Sequence, residues 1–190
     1  MVLRRFCVLF LLVSVFLLTA CVQPPADPLA YQKEAACLLL EGKIDGFSFA
    51  AELVLKPLDF DAEGRELPVD VRDFTLTYTA PHTLNGLTLV RCGGEVTLLR
   101  GDVSCKAAGA LYSSMLLPAM LFCIDCEMGE AVVVEQDGTR LNWISASDDE
   151  GQYQLWLDQA GYPRRIEAII DTRSITVDIQ RCPCENEHIS

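Results

Sequence analysis

The sequence predicts a mainly β protein: an open antiparallel half-barrel that is covered by one central α-helix. Three observations lead to this prediction. Apolar and polar residues alternate with a period of two in several short segments, which is typical of strands with one buried face. Glycine-containing turn pairs separate these segments, as in β-hairpins. One longer apolar segment, residues 111–130, breaks the alternation and follows helical spacing instead.

The alternation is clearest in residues 47–55, 74–78 and 175–179. Each of these segments places apolar side chains on one face and mostly polar side chains on the other. Successive residues of a strand point to opposite sides of the sheet, so each strand would have one buried face and one solvated face. This pattern indicates an antiparallel sheet that is packed on one side, with roughly ten short strands in all.

The connections between the strands have turn chemistry. Residue pairs that favour tight hairpins, and one longer Gly-x-Pro turn, lie between the apolar runs at Asp45-Gly46, Gly93-Gly94, Asp137-Gly138 and residues 160–163. Residues 100–102, Arg-Gly-Asp, are interpreted as another turn between strands. The acidic segments 59–70 and 147–151 are expected to be solvated loops, because neither has the ligand spacing of a calcium loop.

Residues 111–130 are expected to contain the helix. Ser113 or Ser114 would be its N-cap, and the segment ends at Gly129. Pro118 would mark its first turn or a kink. An apolar helix among curved antiparallel strands needs a surface to pack on, and the concave face of the sheet provides one.

The N-terminus has the three parts of an export signal. Arg4 and Arg5 precede an apolar run, residues 6–18, which is shorter than the ~20 residues of a membrane-spanning helix. The sequence Leu-Thr-Ala-Cys that ends at Cys21 resembles the bacterial lipobox, in which the cysteine thiol is diacylated and the chain is cut before it. We therefore expect residues 1–20 to be a lipoprotein signal peptide, Cys21 to be the lipid attachment site and residues 21–30 to be a lipidated tether.

Composition and charge exclude some functions. The chain has a formal net charge of −12, and loss of residues 1–20 would make it −14. Such a surface is repelled by nucleic acids and by anionic lipid head groups, so nucleic acid is not an expected partner and the acyl anchor must provide the membrane contact. Apolar residues make up 51% of the sequence, which excludes disorder for most of its length.

Two stretches carry a resemblance to a known family. "YQLWLDQAGYPRRIEAII", residues 153–170, and "FTLTYTAPHTLNGLTL", residues 74–89, together with the order of strands, apolar helix and strands, resemble the LolA-like lipoprotein carriers. The resemblance implies a single LolA-like β domain over residues 31–181, followed by a C-terminal tail, residues 182–190. It also implies an incomplete barrel with an apolar cavity that holds acyl chains. The carrier is soluble, whereas this chain has a predicted anchor, so a stationary role is expected.

The sequence therefore predicts a non-enzymatic lipoprotein on the extracytoplasmic side of a bacterial cell membrane, with no cofactor. Its partners would be the membrane and an apolar ligand, an acyl chain or a lipidated protein. No catalytic residues are predicted, because the two histidines lie in a turn and in the tail and no nucleophile elbow is present. Alternation predicts these cavity residues: Phe47, Phe49, Leu53, Phe74, Leu76, Met120 and Trp143.

The cysteines leave an alternative open. Without Cys7 and Cys21, seven remain, which is an odd number. A disulfide that ties the tail to the body of the domain is expected, with its partner unassigned. Alternatively, Cys123, Cys126, Cys182 and Cys184 would form a structural zinc site, or the first two would be a redox dithiol. A third possibility is a ligand-free accessory subunit of an envelope complex.

Overall fold

The computed structural model describes residues 30–58, 60, 63–65, 67, 68, 72–106, 110–123, 126–149 and 151–182. These residues form one antiparallel sheet of twelve strands and two helices. The predicted fold class, an open antiparallel half-barrel with one central covering helix, is confirmed. No helix in these ranges is long and apolar enough to cross a membrane.

The first half of the chain forms a meander. Its elements are helix α1 (Ala30–Lys33), β1 (Ala36–Ile44), β2 (Phe47–Leu55), β3 (Phe74–Ala80), β4 (Thr88–Cys92), β5 (Glu95–Arg100) and β6 (Val103–Lys106). The second half begins with the central helix. Its elements are helix α2 (Ala110–Met120), β7 (Glu127–Met128), β8 (Val132–Gln136), β9 (Thr139–Ser147), β10 (Gly151–Leu157), β11 (Pro163–Ile170) and β12 (Arg173–Arg181).

The two halves join at the centre of the sheet. The strand order is β6-β5-β4-β3-β2-β1-β12-β11-β10-β9-β7, and β8 also pairs with β9. β12, the last strand, pairs with β1, the first, in a register that runs from Leu38 opposite Arg181 to Ile44 opposite Ile175. Within the described ranges β6 and β7 lie at opposite ends of this order, so the sheet is open.

Three of the predicted hairpin turns are confirmed by their backbone angles. At Asp45-Gly46 the φ values are 49° and 85°, and both are also positive at Gly93-Gly94 and Asp137-Gly138. Positive φ at both central residues is the geometry that matches the twist of the flanking strands. A fourth such pair, Asp171-Thr172, joins β11 to β12 without a glycine, so no glycine marks this turn in the sequence.

Helix α2 differs from the prediction at both ends. It begins at Ala110, so Ser113 and Ser114 lie inside it and the predicted N-cap is wrong. It ends at Met120 and continues as a tight turn, in which the Phe122 amide donates to the Ala119 carbonyl at 3.0 Å. Ser114 instead accepts a hydrogen bond from the Arg173 guanidinium of β12. This serine therefore makes a tertiary contact and does not cap the helix.

We call the face of the sheet that carries the buried core residues the inner face, and the opposite face the outer face. Alternate residues of the central strands, such as Leu53, Leu76, Ile166 and Val177, are buried on the inner face. We call residues 110–123 the covering segment, because its buried side chains belong to the same core cluster. The core is therefore a sheet layer packed against one helical segment.

Candidate functional site

The covering segment occupies the inner face with apolar side chains. Leu116, Leu117, Ala119, Leu121 and Phe122 are all buried in the core cluster. The Phe122 ring meets the Tyr31 ring edge-on, with the ring centroids 6.3 Å apart. The sequence of α2 is apolar around most of its circumference, which is typical of a helix without a broad solvated face.

Polar contacts fix the position of the covering segment on the strands. The Tyr78 hydroxyl of β3 donates to the Met115 carbonyl at 2.7 Å, and the Arg173 guanidinium donates to the Ser114 hydroxyl. Burial raises the pKa of Tyr78 well above its ordinary value, so the phenol stays protonated and can act as a donor. The helix is thus hydrogen-bonded to strands in both halves of the sheet.

Five of the seven predicted cavity residues lie together in this region. Phe49, Leu53, Phe74 and Leu76 are buried on the inner face of β2 and β3, and Met120 packs against the same core while half-buried. The rings of Phe49 and Tyr78 are in edge-on contact, with centroids 6.1 Å apart. Alternation therefore identified residues that the fold brings together beneath or beside the covering segment.

The other two predicted cavity residues are placed elsewhere. Phe47 is 81% exposed, because it is the first residue of β2 and follows the hairpin turn directly. Trp143 lies on the outer face of β9, because Ile144 and Ala146 are the residues of that strand that enter the core. β9 carries apolar residues on both faces, so alternation did not indicate which set is inside.

One part of the interior is closely packed. Beneath the end of the covering segment lies a void that is too narrow to admit a water molecule. It is lined mainly by apolar side chains, among them Tyr31, Leu121, Met128, Leu155 and Ile166. This part of the inner face is therefore occupied by the protein's own side chains, whereas the family resemblance implies an open cavity.

One end of the interior is closed by a buried cation. Arg72 is 2% exposed, its Nε donates to the Lys56 carbonyl at 2.7 Å, and its two terminal nitrogens donate to the Gln32 and Glu34 carbonyls. Burial lowers the pKa of the Arg72 guanidinium, while the nearby Cys123 and Tyr31 side chains oppose that shift. Arg72 thus joins α1 to the end of β2. It follows a predicted solvated loop, and no sequence signal indicated this role.

Tyr31 lies beside this cation and is itself buried. Its burial raises the pKa of the phenol well above its ordinary value. Its hydroxyl makes no hydrogen bond of good geometry to any described residue, although the Gln32 side chain is near. The hydroxyl therefore stays protonated at the edge of an otherwise apolar interior.

The cysteine positions bear on the proposed zinc site. Cys182 forms a disulfide with Cys37 at a Cα–Cα distance of 5.4 Å, which confirms the predicted tie between the tail and the domain. Cys123 is buried and Cys126 is half-buried, while Cys184 lies outside the described residues. Because Cys182 is already bonded, it is not a thiolate ligand. The described side chains contain no group of three or more that could hold a metal.

A second concave region lies on the outer face. A groove of about 570 Å³ crosses β9 to β12, and half of the described residues that line it carry hydroxyl or amide side chains. Six of these residues are Ser145, Ser147, Gln152, Gln154, Ser174 and Thr176. The sequence pattern predicts these positions only as the solvated side of strands. A one-dimensional pattern does not show where a twisted sheet becomes concave.

Comparisons with known proteins give structural matches at low identity. No family model and no curated protein matches the chain. A conserved protein from Thermus thermophilus has 13% identity and a TM-score of 0.49, over 82% of this chain and 84% of its own. A lipoprotein-sorting protein domain from Vibrio parahaemolyticus has 9% identity and a TM-score of 0.45, over 84% and 91%. A LolA-superfamily protein from Nitrosomonas europaea has 8% identity and a TM-score of 0.39, over 83% and 92%. One of these three structures is thus named as a LolA-superfamily protein.

Proposed function

We propose that this protein is a non-enzymatic lipoprotein, anchored to a bacterial cell membrane on its extracytoplasmic side, whose half-barrel binds an apolar ligand such as an acyl chain. The observation that carries the binding proposal is the covering segment. It places a row of apolar side chains on the inner face, where a bound acyl chain would lie. The structure then corresponds to the closed, ligand-free form, and binding requires the segment to move.

The covering segment and a long acyl chain would gain similar free energies from burial on the inner face. Leu116, Leu117, Leu121 and Phe122 each contribute roughly 1.5–3 kcal/mol when they are fully buried. An acyl chain contributes about 0.8 kcal/mol per buried methylene, so about ten methylenes replace these four side chains. A long acyl chain can therefore compete with the covering segment for the inner face, whereas a short apolar molecule cannot.

The residues proposed to contact the ligand are those on the inner face: Phe49, Leu53, Phe74, Leu76 and Met120. Met120 lies at the end of α2 and is half-buried, so it can be changed without removing a fully buried side chain. Phe47 and Trp143 are not included, because the first is exposed and the second lies on the outer face.

Substitution Met120→Glu tests the binding site directly. A carboxylate at this position must lose water when an acyl chain covers it, and the affinity for a fluorescent long-chain fatty acid is expected to fall by about tenfold or more. Displacement of the probe by unlabelled fatty acid measures this affinity. The matched control is Leu39→Glu, which places the same charge on the outer face of β1, where Leu39 is partly exposed. Unchanged affinity in Met120→Glu, or an equal loss in the control, would contradict the proposed site.

The membrane anchor has its own test, because Cys21 lies outside the described residues. Cells that express the full chain are given a clickable palmitate analogue. We expect label on the wild-type protein and none on Cys21→Ala, since the thiol of this residue is the proposed acylation site. Two or three acyl chains hold a protein on a bilayer stably, whereas one gives marginal binding. Equal labelling of both proteins would rule out Cys21 as the site.

A further inference from the structure

The outer-face groove is a second candidate binding site, distinct from the inner face. Its polar residues form two rows that cross four paired strands. One row is Ser145, Gln154, Glu167 and Thr176; the next is Ser147, Gln152, Ile169 and Ser174. Each row therefore offers hydroxyl or amide groups from at least three strands, on a backbone that the sheet holds in place.

A third row continues the same face with aromatic residues. Trp143 lies directly opposite Trp156, and Arg165 is opposite Trp156 on the other side. The Arg165 guanidinium carbon lies 5.9 Å from the centre of the Trp156 ring. Rows that are two residues apart along a strand are separated by about 7 Å. The tryptophan pair therefore borders the polar groove.

The groove carries little unbalanced charge. Glu167, the acidic side chain in its lining, is paired with Arg165, whose terminal nitrogen lies 2.7 Å from the carboxylate oxygen. Arg165 also pairs with Asp178 at 3.3 Å. In the described part of the chain, the Gln152 and Gln154 amides make no hydrogen bond to other side chains and point to the exposed face. They are available as donors and acceptors for a ligand.

These properties exclude several ligand classes. A lipid chain has few partners here, because Ile169 is the large exposed apolar side chain in the groove. A polyanion is excluded because the described lining of the groove has no excess of positively charged side chains. A peptide strand needs an unpaired sheet edge, whereas β10, β11 and β12 are each paired on both sides. The remaining class is an uncharged ligand that is rich in hydroxyl groups.

We propose that the outer-face groove binds a neutral oligosaccharide chain, with the two polar rows hydrogen-bonding to its hydroxyl groups and the Trp143–Trp156 pair in contact with a sugar ring. Serine, threonine and glutamine side chains both donate and accept, as sugar hydroxyls require. Aromatic rings supply the apolar surface on which a flat sugar face packs. The volume of the groove, about 570 Å³, lies within the range of ligand pockets.

The sequence supplies a built-in reporter for the experiment. The chain contains two tryptophans, and both lie in the row that borders the groove. Purified protein is titrated with maltotetraose, cellotetraose and chitotetraose, and binding is followed by tryptophan emission and by calorimetry. At least one of these sugars is expected to change the emission and to bind with a Kd below about 1 mM. Absence of both heat and emission change with all three probes overturns the proposal.

Variants locate the binding. Gln152→Ala together with Gln154→Ala is expected to weaken sugar binding by about tenfold or more, since hydrogen bonds from two amides are lost. Gln180→Ala is the matched control: it is an exposed glutamine on the outer face of β12, next to Leu39 and away from the groove. Met120→Glu is expected to leave sugar binding unchanged, which separates this site from the inner face. Wild-type affinity in the double variant also overturns the proposal.

Discussion

Substitution of Phe122 by alanine is expected to lower the free energy of unfolding by about 3–5 kcal/mol and, at the same time, to strengthen binding of a long-chain fatty acid. Phe122 is fully buried, packs on Tyr31 and belongs to the covering segment. Loss of its ring removes one of the side chains that compete with the ligand. A loss of 1.4 kcal/mol in the stability of the closed covering segment increases the apparent affinity about tenfold, so the apparent Kd should fall by about tenfold or more. Chemical denaturation and probe titration measure the two effects.

The control for this variant is Leu141→Ala. Leu141 is 7% exposed and apolar, but it lies on the outer face of β9, beside Val134 and outside the core cluster. Its replacement is expected to destabilise the protein by about 2–5 kcal/mol without a change in fatty-acid affinity. If both variants bind the probe with equal affinity, the covering segment does not compete with the ligand, and the closed-form interpretation of the structure is wrong.

Loss of the Cys37–Cys182 disulfide is expected to lower the free energy of unfolding by about 2–5 kcal/mol. The bond joins residues 145 positions apart, and the loop that it closes includes nearly the whole described chain. The disulfide lowers the conformational entropy of the unfolded chain, and for a loop of this length this effect stabilises the folded protein by about 5 kcal/mol. Denaturation of the Cys37→Ala, Cys182→Ala double variant and of reduced wild-type protein should give the same shift.

The matched control keeps the number of substituted cysteines constant. Cys92 and Cys105 are exposed and have no disulfide partner among the described residues, and the double substitution Cys92→Ser, Cys105→Ser is expected to change stability by less than about 0.5 kcal/mol. A disulfide-free variant as stable as the wild type would show that the β1–β12 pairing needs no covalent tie. An equal loss in the control would assign the effect to thiol chemistry in general.

The two proposed sites lie on opposite faces of one sheet, and this arrangement has a functional consequence. The inner face is apolar and covered, whereas the outer-face groove is polar and open. A ligand on one face does not obstruct the other. The protein can therefore be proposed to hold an acyl chain and a sugar chain independently, and the variants Met120→Glu and Gln152→Ala with Gln154→Ala should separate the two activities.

The regular features of the fold were predictable because local chemistry determines them. The pair Asp45-Gly46 adopts positive φ at both positions, which few other residue pairs do at low energetic cost. These two residues therefore suffice to predict the first hairpin. In β3 the strict alternation of Phe74, Leu76 and Tyr78 with threonines leaves one choice of buried face. The apolar segment at residues 111–130 has no strand periodicity, and for that reason it was predicted as the covering helix.

The face assignment of β9 was not predictable by the same means. Its residues Leu141 and Trp143 lie on one side and Ile144 and Ala146 on the other, so both sides carry apolar groups. Only the pairing with β10, which sets Leu155 opposite Ile144, decides which side faces the core. Trp143 therefore lies at the border of the outer-face groove and not in the predicted cavity.

The sequence by itself determined the strand content, several of the turns and the existence of one covering helix, because periodicity and turn chemistry act over a few residues. It also carries the lipobox-like motif at Cys21, which remains a prediction. Only the tertiary structure decided the partner of Cys182, the carbonyl contacts of Arg72, the occupied inner face and the outer-face groove. Each of these depends on contacts between residues that are far apart in the chain, which local sequence patterns do not show.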